Sequence, residues 1–483
     1  MGGARLLKLP LPSLNPAFVR PPNVADCRDP RTIVSPLKNR PVINVAPADL
    51  RCTRVDSKPA LMRATSLVNL VLVVTACGSL PAAAPTGNYR PAKVIISPGA
   101  EARSDARTWQ GIPGIERTAQ GRLWATWYTG GLHEGAAGNY VAVATSGDDG
   151  RTWSDPVVLI KGPTDHHMLA DPLPWLDPQG RLWIFYLQSS KERGAKEFFG
   201  ACAVRNDAPE EPLGRWTEPL PVHAGGRIFG KLIVRASGGW LAPFFLNSNQ
   251  VDVNETCVLL TPDAGANWSI LGGTSVPMER RNFSEATLAQ RRNGDLWTVM
   301  RTKLGLEEST SADDGRTWTA PRLMREGPHT RACMRKLASG AHILIYHDVT
   351  RPAKDARFPR ARLAAWLSDD EGKTWPHQLL LDERNGVSYP DATEAPDGRI
   401  YFTYDRWRYG EQGGKEILMG VVREADIRAG KIVSPDARLA QLVNRATGIG
   451  NIKERQKIDE EKMREDVNRK LIQEGTTPPS RKE

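Results

Sequence analysis

One short pattern recurs six times along the middle of the chain: a polar turn containing glycine, followed at once by an apolar or aromatic run. The copies are Ala119-Gln-Gly121-Arg-Leu-Trp124, Pro178-Gln-Gly180-Arg-Leu-Trp183, Ser237-Gly-Gly239-Trp-Leu241, Arg292-Asn-Gly294-Asp-Leu-Trp297, Ala338-Ser-Gly340-Ala-His-Ile343 and Pro396-Asp-Gly398-Arg-Ile-Tyr401. The glycines are 59, 59, 55, 46 and 58 residues apart. Glycine supplies the positive φ that a tight hairpin needs, and the residues after it favour strands. Repeats of this length, each a small antiparallel sheet, stack around an axis as a propeller.

A second pattern interleaves with the first: Ser146-Gly-Asp148-Asp-Gly150-Arg-Thr152-Trp153, Ser311-Ala-Asp313-Asp-Gly315-Arg-Thr317-Trp318 and Ser368-Asp-Asp370-Glu-Gly372-Lys-Thr374-Trp375. A weaker copy is Thr261-Pro-Asp263-Ala-Gly265-Ala-Asn267-Trp268, and a decayed one is expected around Asp207 to Trp216. Ser and Asp side chains bond nearby backbone N–H groups, glycine makes the bend, and Trp anchors the turn. This motif resembles the Asp-box of the sialidase (neuraminidase) superfamily. Together the two patterns predict an all-β fold over residues 95–432: a six-bladed β-propeller of four-stranded antiparallel blades. A short charged helix is expected in the tail 441–483, where Met463, Val467 and Leu471 recur at helical spacing.

The chain of 483 residues has a net charge of +10, but the charge is uneven. Residues 1–61 carry +6 and residues 441–483 carry +2, which leaves the expected propeller close to neutral. That distribution argues against nucleic-acid binding. Residues 63–77 combine one arginine, a short apolar run and small residues, the pattern of a secretory signal peptide. Val74-Thr-Ala-Cys77 also resembles a lipobox, which would lipidate Cys77. The expectation is therefore an exported protein, periplasmic or at the cell surface, with a signal region over 62–84, Met62 as the initiator and 1–61 as an extension. Membrane contact is expected only through that anchor. The six cysteines show no CxxC pairing, so no zinc or other metal and no cofactor is expected, and Cys202, Cys257 and Cys333 read as buried thiols.

The resemblance implies site residues. Sialidases bind a substrate carboxylate with three arginines, attack with a tyrosine paired to a glutamate, and use an aspartate as acid/base. A phenol avoids the repulsion that a carboxylate nucleophile would meet at an anomeric carbon bearing a carboxylate. By position, Tyr389 corresponds to the nucleophile, Glu285 to its helper, Arg301 and Arg360 to two of the arginines, and Asp405 to the acid that steadies an arginine. Arg362 shares a strand face with Arg360 and is its alternative. Glu134, in the loop Gly130–Gly135, is the candidate acid/base, with His133 its rival. His167 and Asp171 are candidate substrate contacts; Asp391, Arg406 and Arg408 carry weaker warrant.

The first arginine departs from the pattern. Sialidases open their first blade with Arg-Ile-Pro, whereas this chain has Gly111-Ile112-Pro113. Arg107, Arg117 or Arg331 would have to substitute. The sequence thus points to an exo-glycosidase acting on a terminal acidic or otherwise polar sugar of a glycan. A non-catalytic glycan-binding propeller, or a hydrolase or lyase of uronic or sulfated polysaccharide, are the alternatives. The sequence is silent on the sugar and on oligomeric state.

Overall fold

A computed structural model of the chain describes residues 88–449, apart from 193–196, 248–254, 350–358 and 410–413. The signal region, Cys77, the extension 1–61 and the expected charged helix lie outside the described residues. The described residues form six antiparallel sheets, each built from consecutive strands. Blade 1 contains Gln110–Arg117, Leu123–Gly130, Asn139–Ser146 and Val158–Lys161, with Lys93–Ile96 as a fifth, outer strand. Blade 2 contains His167–Leu176, Leu182–Ser190, Gly200–Asn206 and Leu220–Ala224. Blade 3 contains Gly226–Ile228, Trp240–Leu246, Thr256–Thr261 and Ser269–Thr274, and Ile233–Val234 also pairs with its second strand. Blade 4 contains Arg281–Gln290, Leu296–Thr302, Gly305–Ser311 and Arg322–Glu326. Blade 5 contains Cys333–Lys336, His342–His347, Ala361–Ser368 and His377–Asn385, and blade 6 Val387–Glu394, Ile400–Arg406, Glu416–Val422 and Arg438–Arg445.

The six-bladed propeller expected from the repeats is therefore the fold. The six glycine turns join first to second strands, and the Asp-boxes join third to fourth strands. In the box of blade 4, Ser311 Oγ donates to Asp313 Oδ1 (2.8 Å) and accepts from Gly315 N (2.9 Å), while Thr317 N and Oγ1 donate to the two Asp313 oxygens (2.8 and 2.6 Å). Blades 1, 3 and 5 repeat this network. In blade 2 the decayed box survives as a turn in which Asn206 Oδ1 accepts from Ala208 N and Arg215 N. Blade 6 has no box: the helix Glu424–Ala429 joins its third and fourth strands. That fourth strand, Arg438–Arg445, lies beyond the expected boundary at 432 and runs into the stretch 441–483 assigned to the tail. Its burial alternates weakly, so its sequence carries little strand periodicity.

Apolar side chains fill the space between blades. Trp175, Trp183, Trp240 and Trp268 form one such cluster between blades 2 and 3. The first strands of neighbouring blades pack on one another: Gln110–Arg117 meets both His167–Leu176 and Val387–Glu394, which closes the ring from blade 6 to blade 1. At the centre Lys231 Nζ, almost wholly buried, donates to the carbonyls of Ile115 and Pro174 and pairs with Glu116 (3.2 Å) and Asp391 (3.0 Å). Asp391, a candidate substrate contact by sequence, is thus engaged in holding blades 1, 2, 3 and 6 together. Cys202, Cys257 and Cys333 are buried, as read from the sequence.

Candidate active site

Four of the first strands break register at comparable places: between Gly111 and Gly114, Ala170 and Leu173, Arg281 and Ala286, and Ser388 and Asp391. Each break contains a non-glycine residue in the left-handed region: Ile112 (φ 54°), Asp171 (53°), Ser284 (37°) with Phe283 (57°), and Tyr389 (56°). A bulge re-aims the side chains around it. Left-handed backbone at such residues costs about 1–3 kcal/mol each and persists where the surroundings over-determine it. The sequence marks three of them indirectly, because Pro113, Pro172 and Pro390 follow Ile112, Asp171 and Tyr389, and a proline inside a strand is tolerated at a bulge.

The re-aimed side chains converge on Tyr389, which is buried against Trp109, Ile112, Tyr128, Met168, Ala170 and Leu187. Its Oη accepts from Arg301 Nη1 (2.9 Å), and the same nitrogen donates to Glu285 Oε2 (2.8 Å). The phenol and the carboxylate therefore share one guanidinium nitrogen. Burial works against the charge of Arg301, but Glu285 and the Tyr389 oxygen outweigh it and hold the guanidinium firmly protonated. Arg301 Nε is buried without a partner among the described residues.

Three more guanidinium groups face the Tyr389 ring, with carbons 4.1 Å (Arg408), 5.2 Å (Arg360) and 5.5 Å (Arg331) from its centroid. Arg331 donates to Phe229 O (3.1 Å) and Arg360 to His329 O (2.8 Å), both neutral acceptors. Arg360 and Arg362 are now separable: Arg362 turns to Asp348 (2.7 Å). Arg107 is tied to Ala102 O and Asn444 Oδ1, Arg117 lies over the Tyr401 ring, and Arg406 pairs with Glu416.

Asp405 accepts from Ile112 N (2.8 Å), Ser388 Oγ (2.7 Å) and Arg408 Nε (2.7 Å). It steadies an arginine, as the resemblance implied, but that arginine is Arg408. Arg408 Nη1 also reaches Glu134 Oε2 (2.7 Å). Burial opposes ionisation of Glu134, yet the Arg408 charge, with hydrogen bonds from Tyr128 and Arg408, outweighs it and holds the carboxyl below its usual range. Asp171 behaves oppositely. Burial raises it, the charges of Glu285 and Glu134 add to that, and its bond from Arg227 (2.8 Å) only partly compensates. Those terms also put Asp171 in electrical contact with Glu285 and Glu134.

His167 stands apart from this group. Its ring bonds Thr164 Oγ1 (2.9 Å) and Glu197 Oε2 (2.8 Å), and burial depresses its basicity despite Glu197. His133 Nδ1 contacts the Glu134 carbonyl. Among the described residues no group of three His, Cys, Asp or Glu side chains is arranged to hold a metal. Beside Tyr389 a cavity of about 520 Å³ is lined by Glu134, Arg360, Ser388, Trp407, Arg408 and Tyr409, among others.

The family model described as a BNR repeat-like domain matches residues 121–402. The chain belongs to the BNR-repeat proteins of the sialidase superfamily. A Bacteroides fragilis sialidase is 25% identical over 273 residues, covering 53% of this chain. The chain spans 38% of that relative's length. Among solved structures, a leech intramolecular trans-sialidase superposes with a TM-score of 0.54 at 14% identity, covering 71% of each chain. A Dyadobacter fermentans protein of unknown function gives a TM-score of 0.52 at 17% identity, covering 69% of this chain and 98% of its own. At these identities the structural likeness is one of fold. The matched span runs from the first of the glycine turns to the last and contains the Asp-boxes described above.

Proposed function

We propose that this BNR-repeat protein is a glycoside hydrolase that releases a terminal anionic sugar from a glycan, with Tyr389 as nucleophile. The observation that carries the reading is the Tyr389–Arg301–Glu285 relay, set on a bulge and ringed by Arg331, Arg360 and Arg408. In the first step Tyr389 Oη attacks the anomeric carbon and gives its proton to Glu285, while the glycosidic C–O bond breaks. The leaving oxygen takes a proton from a carboxylic acid. A donor must hold its proton near the working pH. Burial and neighbouring carboxylates push the Asp171 carboxyl up, whereas Arg408 pulls the Glu134 carboxyl down. The acid/base role assigned by sequence position to Glu134 therefore suits Asp171 better. In the second step water attacks the anomeric carbon and gives a proton to Asp171, while the bond from that carbon to Tyr389 Oη breaks and Glu285 returns its proton to the phenol oxygen.

Arg331 and Arg360, bonded to neutral carbonyls, supply positive potential for an anionic substituent. The signal-like segment and Cys77 support export, with a lipid anchor at that cysteine. The test of the hydrolase is turnover of aryl glycosides of sialic, uronic and neutral sugars. Tyr389→Phe should abolish turnover of an anionic member of the panel. Full turnover by that variant would refute the mechanism. Glycan binding with no product from any member would move the reading to a binding propeller.

A further inference from the structure

Gly111 is where blade 1 lacks an arginine, and the structure gives a physical reason for the glycine. A Cβ on residue 111 would lie 2.5 Å from Cδ, 2.7 Å from Cγ and 2.8 Å from Nε of Arg408. The space that belongs to a side chain at 111 is filled by a side chain from blade 6. The Arg408 backbone is fastened there too, because its carbonyl accepts from Gln110 N (3.2 Å). Asp405 joins both partners, bonding Ile112 N next to Gly111 and Arg408 Nε.

A guanidinium has five N–H donors. Asp405 and Glu134 take two of those on Arg408, and Ser388 Oγ takes a third at a long 3.4 Å. The two carboxylates differ in permanence. Asp405 is fully buried and fixed by three donors. The Glu134 side chain is 33% exposed. It sits on a loop turned by Gly130, Gly131, Gly135 and Gly138, all at positive φ, and both it and Arg408 line the cavity beside Tyr389.

From this geometry we infer that Arg408 is the residue that binds the substrate's anionic group, and that Glu134 is a resident counter-ion which this group displaces. The inference rests on the proposed preference for an anionic sugar. A carboxylate arriving in the cavity makes to Arg408 the charge-assisted bond that Glu134 makes in its absence, while Asp405 stays in place and holds the guanidinium at the position vacated by Gly111. Arg301 and Arg360 complete the clamp from blades 4 and 5. Clamping is thus distributed over the last three blades, and blade 1 contributes the gap.

Calorimetric binding of the methyl α-glycosides of sialic acid and glucuronic acid, each compared with its uncharged methyl ester, tests this without relying on turnover. Wild type should prefer at least one acid to its ester. Arg408→Met should lose that preference, with acid binding weakened roughly 30-fold or more. Gly111→Ala, whose Cβ must push Arg408 aside, should weaken it in the same direction. Glu134→Gln removes the competing charge and should tighten acid binding roughly threefold to tenfold relative to the ester. These opposite signs separate displacement from a merely structural ion pair, and they remain readable if Arg408→Met fails to fold. Equal wild-type affinity for acid and ester, retention of the preference in Arg408→Met or Gly111→Ala, or no tightening in Glu134→Gln would each overturn the inference. A protein that prefers the acid but turns over no glycoside loses the hydrolase reading and keeps this one.

Discussion

Replacing Lys231 by methionine should cost about 3–5 kcal/mol of folding stability. The ammonium is about 2% exposed, and the two carboxylates it faces, Glu116 and Asp391, are each about 6% exposed. Methionine fills a similar volume but offers no donor. Two buried carboxylates and the carbonyls of Ile115 and Pro174 then lose their shared partner. Removing one partner of a buried ion pair is the costly direction, because the charge left behind has no solvent. Asp391 keeps its bond from Ile115 N, and Glu116 keeps those from Arg117 N and the Thr393 hydroxyl, so the loss stays within that range rather than doubling. Against a typical total of roughly 5–15 kcal/mol it is a large fraction. Urea unfolding followed by fluorescence of the 14 tryptophans would measure it. The double variant Lys231→Met/Asp391→Asn should recover part of the loss, since the two residues share one network. A single variant within about 1 kcal/mol of wild type, against that expected loss, would refute the claim that this ammonium ties four blades together.

Two further outcomes are expected. Asp171→Asn should abolish turnover of glycosides with poor alkyl leaving groups while sparing those with strongly acidic phenols, which depart without protonation; equal loss on both would remove Asp171 from the acid role. In the boxes, hydroxyl and backbone donors hold Asp313 and Asp370 down to about 2, and Asp148 reaches about 2 although burial opposes it. Depressed folded-state values stabilise above the unfolded carboxylate range, and the stabilisation disappears as pH falls from about 4 to about 2. Acid titration should therefore show a steeper loss for wild type than for Asp313→Asn across that window, and parallel curves would contradict the assignment.

The boxes and glycine turns were legible because their hydrogen bonds close within a few residues, so the side chains that make them are adjacent in sequence. The Tyr389, Glu285, Arg301 and Asp405 group was legible only through resemblance; Tyr389 and Glu285 meet on the Arg301 guanidinium, whereas Asp405 binds Arg408. Arg408 could not be ranked above Arg406, because its importance lies in reaching across the seam between the last blade and the first. Lys231, in Gly230-Lys-Leu-Ile, looks like an ordinary solvated lysine until four blades converge on it. The bulges at Ile112, Asp171 and Tyr389 leave one trace, the proline that follows each, but their left-handed backbone is imposed by the surrounding packing. For the same reason Glu134 and Asp171 could not be told apart as acids: their difference comes from Arg408 and from burial.

Every blade is built from one unbroken stretch of chain, and the ring closes by packing and hydrogen bonds between the last blade and the first rather than by a shared strand. Tyr389, Asp405 and Arg408 all belong to the last blade or to the loop beyond its second strand. Under the proposed mechanism a chain that stops before Val387 carries Arg301 and Arg360 but neither the nucleophile nor Arg408. The segment Val387–Arg445 must dock before that mechanism can run, so turnover would report that the ring has closed.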